Sequence, residues 1–233
     1  MHWEMGNDDW MTKSLFLNND APLLIADEND IGFDTYKGLA ALTLYQRFHK
    51  GSGQKPITSN QPGRLFCRQD GVYVATTAAI RSFGNEIGKR FVLKTAPLSL
   101  LSPNAKISSG GKAAMIVKKD PVRRNAALDF LLCGTSAKSQ AFVVLNTGYM
   151  PSNTGALRAD IFGNFYRDNP AYHTNVTQIP RARPWLGWPS ENAVRISPGV
   201  RDEMTALDNH HKAPKTALAD MASKVWVLLP KKR

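Results

Sequence analysis

Residues 137–153 read AKSQAFVVLNTGYMPSN, and the way in which this stretch ends indicates the fold. Apolar residues at helical spacing predict a helix that runs up to Asn146. Gly148 can adopt the left-handed conformation that closes a helix, and Pro151 prevents the helix from resuming. The bulky Tyr149 stands at this exit, where a small polar residue would be enough. It either fills a gap in the core or reaches into a cleft.

The rest of the chain alternates between predicted helices and predicted strands. Its 233 residues, 42% of them hydrophobic, are enough to bury a core as one large domain or two small ones. Spacing and capping residues predict helices over 34–48, 78–88 and 160–169, two more opened by Asp120-Pro121 and Thr135-Ser136, and two that begin at Ser197-Pro198 and Pro214. β-rich runs predict strands over 71–77, 91–98 and 112–117. This intermixing is typical of the α/β class.

The sequence carries no signal for a membrane. No apolar run approaches the roughly 18 residues that a membrane helix requires. The start, MHWEMGNDDW, lacks the basic and apolar regions of a secretory signal. The sequence as given therefore predicts a soluble chain, with an export signal that is absent or has been removed.

The formal net charge of +11 is unevenly distributed along the chain. Residues 1–34 hold eight acids and one base, which leaves 30 − 1 = 29 bases against 19 − 8 = 11 acids in the remainder. The bases are scattered, and no basic helix with interleaved aromatics or zinc-finger spacing accompanies them. A solvated basic surface is the simplest interpretation. Long-range attraction of an anionic ligand comes second, and nucleic acid third.

The residues that usually carry catalysis or bind metals do not form a recognisable motif. Cys67 and Cys133 lie far apart and form no CxxC pair, so one disulfide or two unpaired buried thiols both fit the sequence. His210-His211 lie in a predicted loop, which favours an exposed turn over a metal site. The segment GNEIGK (84–89) has the wrong spacing for a phosphate-binding loop, and GxSxG and HExxH are absent. The sequence therefore predicts no enzyme, no metal and no other cofactor.

Several turns instead carry residue types that suit ligand binding. Two hydroxyl residues, Thr76-Thr77, follow a predicted strand. The pair Gly110-Gly111 leaves its backbone amides open to a ligand oxygen. Tyr149 offers a ring and a hydroxyl. The segment WLGWPSENAVRI (185–196) combines two indoles, an acid, an amide and Arg195, the side-chain type best suited to grip a phosphate or carboxylate.

The order of these segments resembles the C-terminal part of the family 1 extracellular solute-binding proteins of ABC importers. This class contains the maltose- and glycerol-3-phosphate-binding proteins, and the glycerol-phosphate, polyol or sugar branch is the most similar. Glycine-tyrosine-x-proline after a helix is a specific signature of the family. The matching stretches are IGFDTYKGLAAL (31–42), F-x4-G-VYVATTAA (66–79), SSGGKAAMIVKKDP (108–121), ALDFLLCGTSAKSQAFVVLNTGYMPSN (127–153), FYRDNPAY (165–172), PWLGWPSENAVRI (184–196) and KAPKTALADMA (212–222).

The resemblance implies a periplasmic-binding-protein-like fold of type II, in which two α/β lobes hold a solute between them. Members are usually about twice as long as this chain, so we expect mostly the C-terminal lobe and a short piece of the N-terminal lobe. The implied boundaries are an N-terminal extension at 1–11, the first part of the C-terminal lobe at 12–108, a crossover and N-terminal-lobe fragment at 109–154, and the second part of the C-terminal lobe at 155–233.

The resemblance also implies the residues of the site and the partners. The solute would be a sugar, a polyol or a glycerol phosphate, and the protein partners would be the membrane subunits of an importer, with a periplasmic location. Thr77 matches a hydroxyl position, Gly110 and Gly111 match the crossover backbone, Tyr149 the pocket tyrosine, Glu191 and Asn192 pocket positions, and Arg195 the phosphate-gripping arginine. An arginine with a structural role would instead pair with Asp202 or another nearby acid.

The shortness of the chain raises an alternative function. Residues near 112–153 should lack their packing partners, so we expect Phe130, Leu131 and Phe142 to be under-buried or covered by another copy. Apolar patches of this kind promote association. The alternative is therefore a self-associating interaction module that binds no solute.

Overall fold

The computed structural model describes residues 2–3, 10–25, 30–52, 71–98, 101–111, 113–117, 120–189 and 191–230. In chain order its helices are α1 (Trp10–Asn18), α2 (Tyr36–Ser52), α3 (Ile80–Ile87), α4 (Pro121–Gly134), α5 (Ala137–Asn146), α6 (Ala159–Phe162), α7 (Phe165–Asp168), α8 (Pro170–Gln178), α9 (Ala193–Asp208) and α10 (Pro214–Leu228). The strands are β1 (His2–Trp3), β2 (Leu24–Ile25), β3 (Asp30–Ile31), β4 (Tyr73–Val74), β5 (Ile107–Ser109) and β6 (Ala182–Pro184).

The chain divides into two compact units. Unit 1 comprises Met1–Ala75, Leu98–Gly110 and Arg181–Arg233, and unit 2 comprises Thr76–Pro97 and Gly111–Pro180. The division groups residues 76–97 and 155–180 with the predicted crossover fragment, whereas the sequence boundaries place both in the C-terminal lobe. The assignment of these segments to the lobes of the family stays a prediction.

Unit 1 is built around helices whose apolar faces meet in one core. The face predicted for α10, formed by Leu218, Met221, Ala222, Val225 and Leu229, is buried, which confirms the helical spacing. The same core takes in α1, α2 and α9 through Phe16, Leu42, Tyr45, Val200 and Met204.

The described strands of unit 1 form three short two-stranded sheets. Strand β1 pairs with β4 and β5 with β6 in parallel, whereas β2 and β3 are antiparallel. In the third sheet Ile107 lies opposite Ala182, and Ser109 lies opposite Pro184. Both strands therefore end at the same edge of this sheet, where the candidate residues of unit 1 described below lie.

Unit 2 has a much smaller core. Its cluster of buried apolar side chains consists of Ala141, Val144, Ala156 and Phe162. The predicted cap of α4 is confirmed, because an Asp120 carboxylate oxygen accepts a hydrogen bond from the Arg123 amide at 3.0 Å. Helix α5 is confirmed as well.

Helix α4 has no buried residue. Phe130 is 76% exposed, Phe142 on α5 is 68% exposed, and Leu131 is only half-buried. The expectation that these side chains are under-buried is confirmed.

Across the described parts of the chain, no helix taken singly is long and apolar enough to cross a membrane. Helices α4 and α5 taken together have the length and composition of a membrane span, but they are bent by 56° relative to each other.

Several predictions from the sequence are wrong in detail. Residues 91–98 and the described part of 112–117 form no strand, and Met115 and Val117 are exposed rather than buried. The helix predicted over 160–169 is divided into α6 and α7 at Gly163, which has a φ of +54°.

Helix α9 begins at Ala193, four residues before the predicted start, so Pro198 lies inside it. The Asn192 carbonyl accepts hydrogen bonds from the amides of Arg195 and Ile196 and forms the first turn. Cys133 is an exposed free thiol rather than a buried one. Cys67 lies outside the described residues.

Candidate functional site

In unit 2 the structure brings the segments of two predicted site residues together. A Cβ atom placed on Gly148 would lie 2.5 Å from the Thr77 carbonyl oxygen, so the turn after α5 packs directly against the start of the short 3-10 helix Thr77–Ala79. Tyr149 follows Gly148 and is 48% exposed, which leaves its ring and hydroxyl accessible. The tyrosine therefore does not fill a gap in the core of unit 2.

The turn that carries Tyr149 is held by a residue that the sequence analysis did not identify. Asn175 on α8 is buried, and its side-chain amide donates a hydrogen bond to the Gly148 carbonyl oxygen. The Thr147 hydroxyl accepts a hydrogen bond from the Tyr149 amide at 3.1 Å. Asn175 lies 27 residues from Gly148, and its type alone gave no signal of this contact.

In unit 1 the candidate site lies where β5 and β6 end. Gly110 follows β5 and is exposed, and Trp185 follows β6 and is 42% exposed. The Trp185 amide donates a hydrogen bond to the Ser109 carbonyl oxygen at 2.9 Å, which continues the ladder to this point. A Cβ on Gly110 would lie 3.9 Å from the Trp185 Cβ, so the two residues are neighbours. In open α/β sheets, ligands bind outside the carboxyl ends of the strands.

A buried lysine lies behind the Trp185 ring. Lys13 on α1 is fully buried and donates a hydrogen bond from Nζ to the Leu186 carbonyl oxygen at 2.7 Å. The Nζ atom lies 4.0 Å from the centroid of the Trp185 ring and 5.1 Å from that of Trp188. The two indoles of WLGW are plain in the sequence, but nothing in its pattern connects this segment with Lys13, which lies 173 residues before Leu186.

The remaining predicted residues of unit 1 lie at the start of α9. Glu191 is exposed. The Asn192 side chain donates a hydrogen bond to the Leu228 carbonyl oxygen at 3.2 Å, so its amide helps to hold the end of α10. Arg195 is exposed, and its guanidinium has no hydrogen-bond or ion-pair partner among the described residues. The alternative pairing with Asp202 is therefore not seen.

One open depression in unit 2 does not coincide with these residues. It has a volume of about 370 Å³ and is lined by residues of α3, α5 and α8 that include Arg81, Leu145 and Tyr172. Arg81 donates a hydrogen bond to the Leu145 carbonyl oxygen at 2.8 Å, so its guanidinium already binds the backbone of α5. The candidate residues are therefore those of the turn after α5 in unit 2 and, separately, those at the strand ends in unit 1. Among the described residues, no cluster of His, Cys, Asp or Glu has the arrangement of a metal site.

Comparison with known proteins identifies the fold. No family model matches the chain, and a search of curated proteins gives no significant match. Solved structures do match. UgpB from Mycobacterium tuberculosis, in complex with glycerophosphocholine, has a TM-score of 0.76 at 16% identity, covering 97% of this chain and 57% of that one.

Two further matches are solved structures of proteins named for the oligosaccharides that they bind. The cyclic α-maltosyl-1,6-maltose-binding protein of Arthrobacter globiformis has a TM-score of 0.79 at 16% identity, covering 97% of this chain and 59% of that one. The maltose-maltodextrin-binding protein of Alicyclobacillus acidocaldarius has a TM-score of 0.70 at 14% identity, covering 96% and 61%. This chain thus spans less than two thirds of the structures that it matches. The predicted resemblance is confirmed at the level of the fold: the chain has the fold of the solute-binding proteins of ABC importers, over a little more than half of their length.

Proposed function

We propose that this chain acts as a solute-binding component, or part of one, of an ABC importer, and that it performs no chemical reaction. The observation that carries the proposal is the placement of exposed Gly110 and Trp185 just outside the carboxyl ends of β5 and β6, in a chain with this fold. The solute class is a sugar, a polyol or a glycerol phosphate. The protein partners are the membrane subunits of an importer, and the location is periplasmic or extracellular.

Each predicted residue has a role in this proposal that suits its chemistry. The hydroxyls of Thr77 and Tyr149 exchange hydrogen bonds with solute hydroxyls, and the backbone of Gly110 and Gly111 approaches the solute without a side chain in the way. Arg195 pairs with an anionic group by two parallel hydrogen bonds. Glu191 and Asn192 border the pocket. The Asn192 side chain donates one hydrogen bond to the Leu228 carbonyl oxygen, and its other hydrogen-bonding groups would face the solute.

The length of the matched structures bears on how the site is completed. Because this chain spans 57–61% of them, we propose that it supplies mostly the C-terminal lobe, with 12–108 and 155–233 as its two parts and 109–154 as the crossover and N-terminal-lobe fragment. Isothermal titration with maltotetraose, glycerol, glycerol-3-phosphate and glycerophosphocholine, up to millimolar solute, tests the function. Saturable binding of at least one solute is expected, and no heat with any of them would reject the proposal.

Arg195→Ala is expected to weaken the binding of solutes that carry a phosphate or carboxylate by roughly 10- to 150-fold, because a charge-assisted bidentate contact is lost. Neutral sugars should keep their affinity. The unfolding midpoint should not fall, because the guanidinium has no partner among the described residues and a positive charge in the first turn of α9 is unfavourable toward the helix dipole.

The matched control is Arg124→Ala, which removes an exposed arginine of unit 2 that likewise has no side-chain partner among the described residues. Titration calorimetry and thermal unfolding of both variants make the comparison. A lower unfolding midpoint for Arg195→Ala with unchanged affinity for every solute would mean that this arginine is structural.

The exposed apolar side chains of unit 2 favour a second candidate function, a self-associating module that binds no solute. Phe130 on α4 and Phe142 on α5 are both more than two thirds exposed. Two further apolar residues of α4, Val122 and Leu132, are exposed as well. Apolar patches of several hundred Å² usually mark interaction surfaces.

For this second function, sedimentation velocity should show association that grows with protein concentration and that Phe130→Asp with Phe142→Asp abolishes. The control is Tyr36→Asp, which places the same charge at an aromatic residue of unit 1 that is 78% exposed. A monomer at every concentration, or equal loss of association in the control, would reject the module.

A further inference from the structure

The open depression on unit 2 combines a cation with apolar walls. These walls are the face of α3 that carries Arg81 and Gly84, the end of α5 at Leu145, and the consecutive helices α7 and α8 at Phe165 and Tyr172. Its volume of about 370 Å³ lies at the low end of the range for small-molecule sites, roughly 300–1,000 Å³. The candidate solute residues do not line it, so a ligand here would be separate from the solute.

The Arg81 guanidinium is fixed at the wall of the depression through one of its three nitrogens. Nη1 donates hydrogen bonds to the Leu145 carbonyl oxygen at 2.8 Å and to the Asn146 side-chain oxygen at 3.4 Å. Nε and Nη2 have no hydrogen-bond or ion-pair partner among the described residues. The guanidinium is therefore oriented by α5, while the edge that carries Nε and Nη2 keeps its N–H donors available.

The chain itself contains an example of what this edge of a guanidinium binds. In Arg158, Nε donates to one carboxylate oxygen of Asp160 and Nη2 donates to the other, each at 3.0 Å. Two parallel hydrogen bonds of this kind are the strong and specific way in which arginine holds a carboxylate. None of the described residues that line the depression is acidic. The same edge of Arg81 is thus available to a carboxylate that comes from outside the chain.

The space beside Arg81 is open and is bordered by aromatic rings. Gly84 follows Arg81 by three residues and is therefore its neighbour on one face of α3. A Cβ atom placed on Gly84 would meet no atom from another described part of the chain within 4 Å. The rings of Phe165 and Tyr172 pack edge to face, with their centroids 5.1 Å apart, and line the same depression. A ligand whose carboxylate lies on Arg81 can place an apolar body over Gly84 and against these rings.

We propose that this depression is a second binding site, for a small organic carboxylate with an apolar body the size of a single ring, and that Arg81 is its anion-binding residue. The two parts of the site select different features of the ligand. Arg81 selects the carboxylate, and the apolar walls select against inorganic anions and fully hydroxylated solutes. The inference goes beyond the proposed function, because it requires neither Tyr149 nor Gly110.

Nuclear magnetic resonance of the isotope-labelled full chain tests the site. The probes are hydrocinnamate, its neutral amide, and acetate, each up to millimolar concentration. Hydrocinnamate should shift the signals of Gly84 and Tyr172 in a saturable manner. The amide has the same ring without the charge and should bind at least about 10-fold more weakly, because two charge-assisted hydrogen bonds are lost. Acetate has the charge without the ring and should also bind more weakly.

Arg81→Gln removes the charge and the paired donors. Its affinity for hydrocinnamate is expected to fall by at least about 10-fold, to that of the neutral amide, whose own affinity should change little. The ratio of the two affinities distinguishes a ligand role from a structural one, because loss of the hydrogen bond to Leu145 alone would weaken both probes equally. Arg124→Gln, which removes the same charge from unit 2 outside the depression, is the control.

Gly84→Phe tests the place of binding, because its side chain enters the open space without a clash at Cβ. Binding of both hydrocinnamate and its amide should be lost. Gly134→Phe is the matched control, since a Cβ at this exposed end of α4 likewise meets no atom of the described chain within 4 Å. If Gly84→Phe does not fold, judged by circular dichroism, Arg81→Gln decides alone.

The outcomes separate this site from the proposed function. Signals of the lining residues that no probe shifts would overturn the site. Equal affinities for hydrocinnamate and its amide would overturn the role of Arg81, and equal affinities for hydrocinnamate and acetate would overturn the role of the apolar walls. Shifts at Tyr149 or Gly110 instead of Gly84 would mean that the probe binds the candidate solute residues, which overturns the second site and leaves the proposed function standing.

Discussion

Replacing Glu203 by alanine is expected to destabilise unit 1 by about 3 kcal/mol, the lower end of the range for breaking a buried ion pair. Glu203 on α9 is 2% exposed. One carboxylate oxygen accepts from Lys212 at 2.7 Å, and the other lies 2.6 Å from the Lys224 ammonium on α10. Lys212 also pairs with Asp220 at 2.6 Å. Glu203 thus connects the two core helices through a buried carboxylate.

The lower end of the range applies because the lysines are partly exposed. Their side chains are 30% and 46% accessible, so after the substitution both ammonium groups can be hydrated. What remains is the loss of two charge-assisted hydrogen bonds and the space left by the side chain. Urea unfolding followed by tryptophan fluorescence measures the effect on unit 1 alone, because all five tryptophans of the sequence lie in that unit.

The neighbouring residue provides a matched control and pH a second readout. Asp202→Asn removes one negative charge from the same helix at an exposed residue with no side-chain partner among those described, and should change stability little.

Hydrogen bonds to Asp220 and Glu203 raise the pKa of Lys212. The contribution of Lys212 to the stability of the fold is therefore fully present below its ordinary pKa of about 10.4. It is lost as the pH rises through the pKa of Lys212 in the folded state.

It follows that the difference in unfolding free energy between the wild type and Glu203→Ala should become smaller at alkaline pH. Equal stability of Glu203→Ala and Asp202→Asn at neutral pH would show that the network does not hold α9 and α10 together.

The sequence predicted most reliably those elements whose signal is local. The face of α10 follows from apolar residues three and four positions apart, and Asp120-Pro121 opens α4 because an aspartate cap and a first-turn proline act within one turn. Gly148 and Pro151 predicted the end of α5 for the same reason. In each case the interactions that determine the element lie within a few residues of one another.

Elements that depend on distant contacts were harder to predict. The run 91–98 has the composition of a strand, but β-propensity expresses a fit to neighbouring strands, and no strand among the described residues pairs with it. Pro198 predicts the start of a helix because proline favours the first turn. In α9 it lies about one turn further into the helix, which begins at Ala193.

The candidate site shows the same division. Tyr149 and Gly110 were identified from their residue types and from the resemblance, and the structure places Tyr149 beside the segment of Thr77. Lys13 and Asn175 were not identified, because a lysine in an apolar helix and an asparagine in a polar one are common. Their significance comes only from partners that are distant in sequence, Trp185 and Gly148.

Gly148→Ala is expected to destabilise unit 2 by about 2–6 kcal/mol, the sum of backbone strain and overpacking. Gly148 has a φ of +151°, a region that residues with a side chain rarely adopt. The new methyl group would lie 2.5 Å from the Thr77 carbonyl oxygen and 3.3 Å from the Ile80 Cβ. Since the first of these atoms belongs to the backbone, no rotamer change can relieve the contact, and the turn itself must move.

The consequence for function is that Tyr149 should be displaced from the Thr77 segment and the hydrogen bond from Asn175 to Gly148 weakened. Hydrogen exchange of α5 and α8 should therefore accelerate, and any solute affinity that depends on Tyr149 should fall as far as in Tyr149→Ala. Gly163→Ala is the control, because Gly163 also has a positive φ, +54°, but no atom within 4 Å of the added methyl group. It should cost only about 1 kcal/mol of strain. If the two alanine variants behave alike, the close approach of the turn to Thr77 does not position Tyr149.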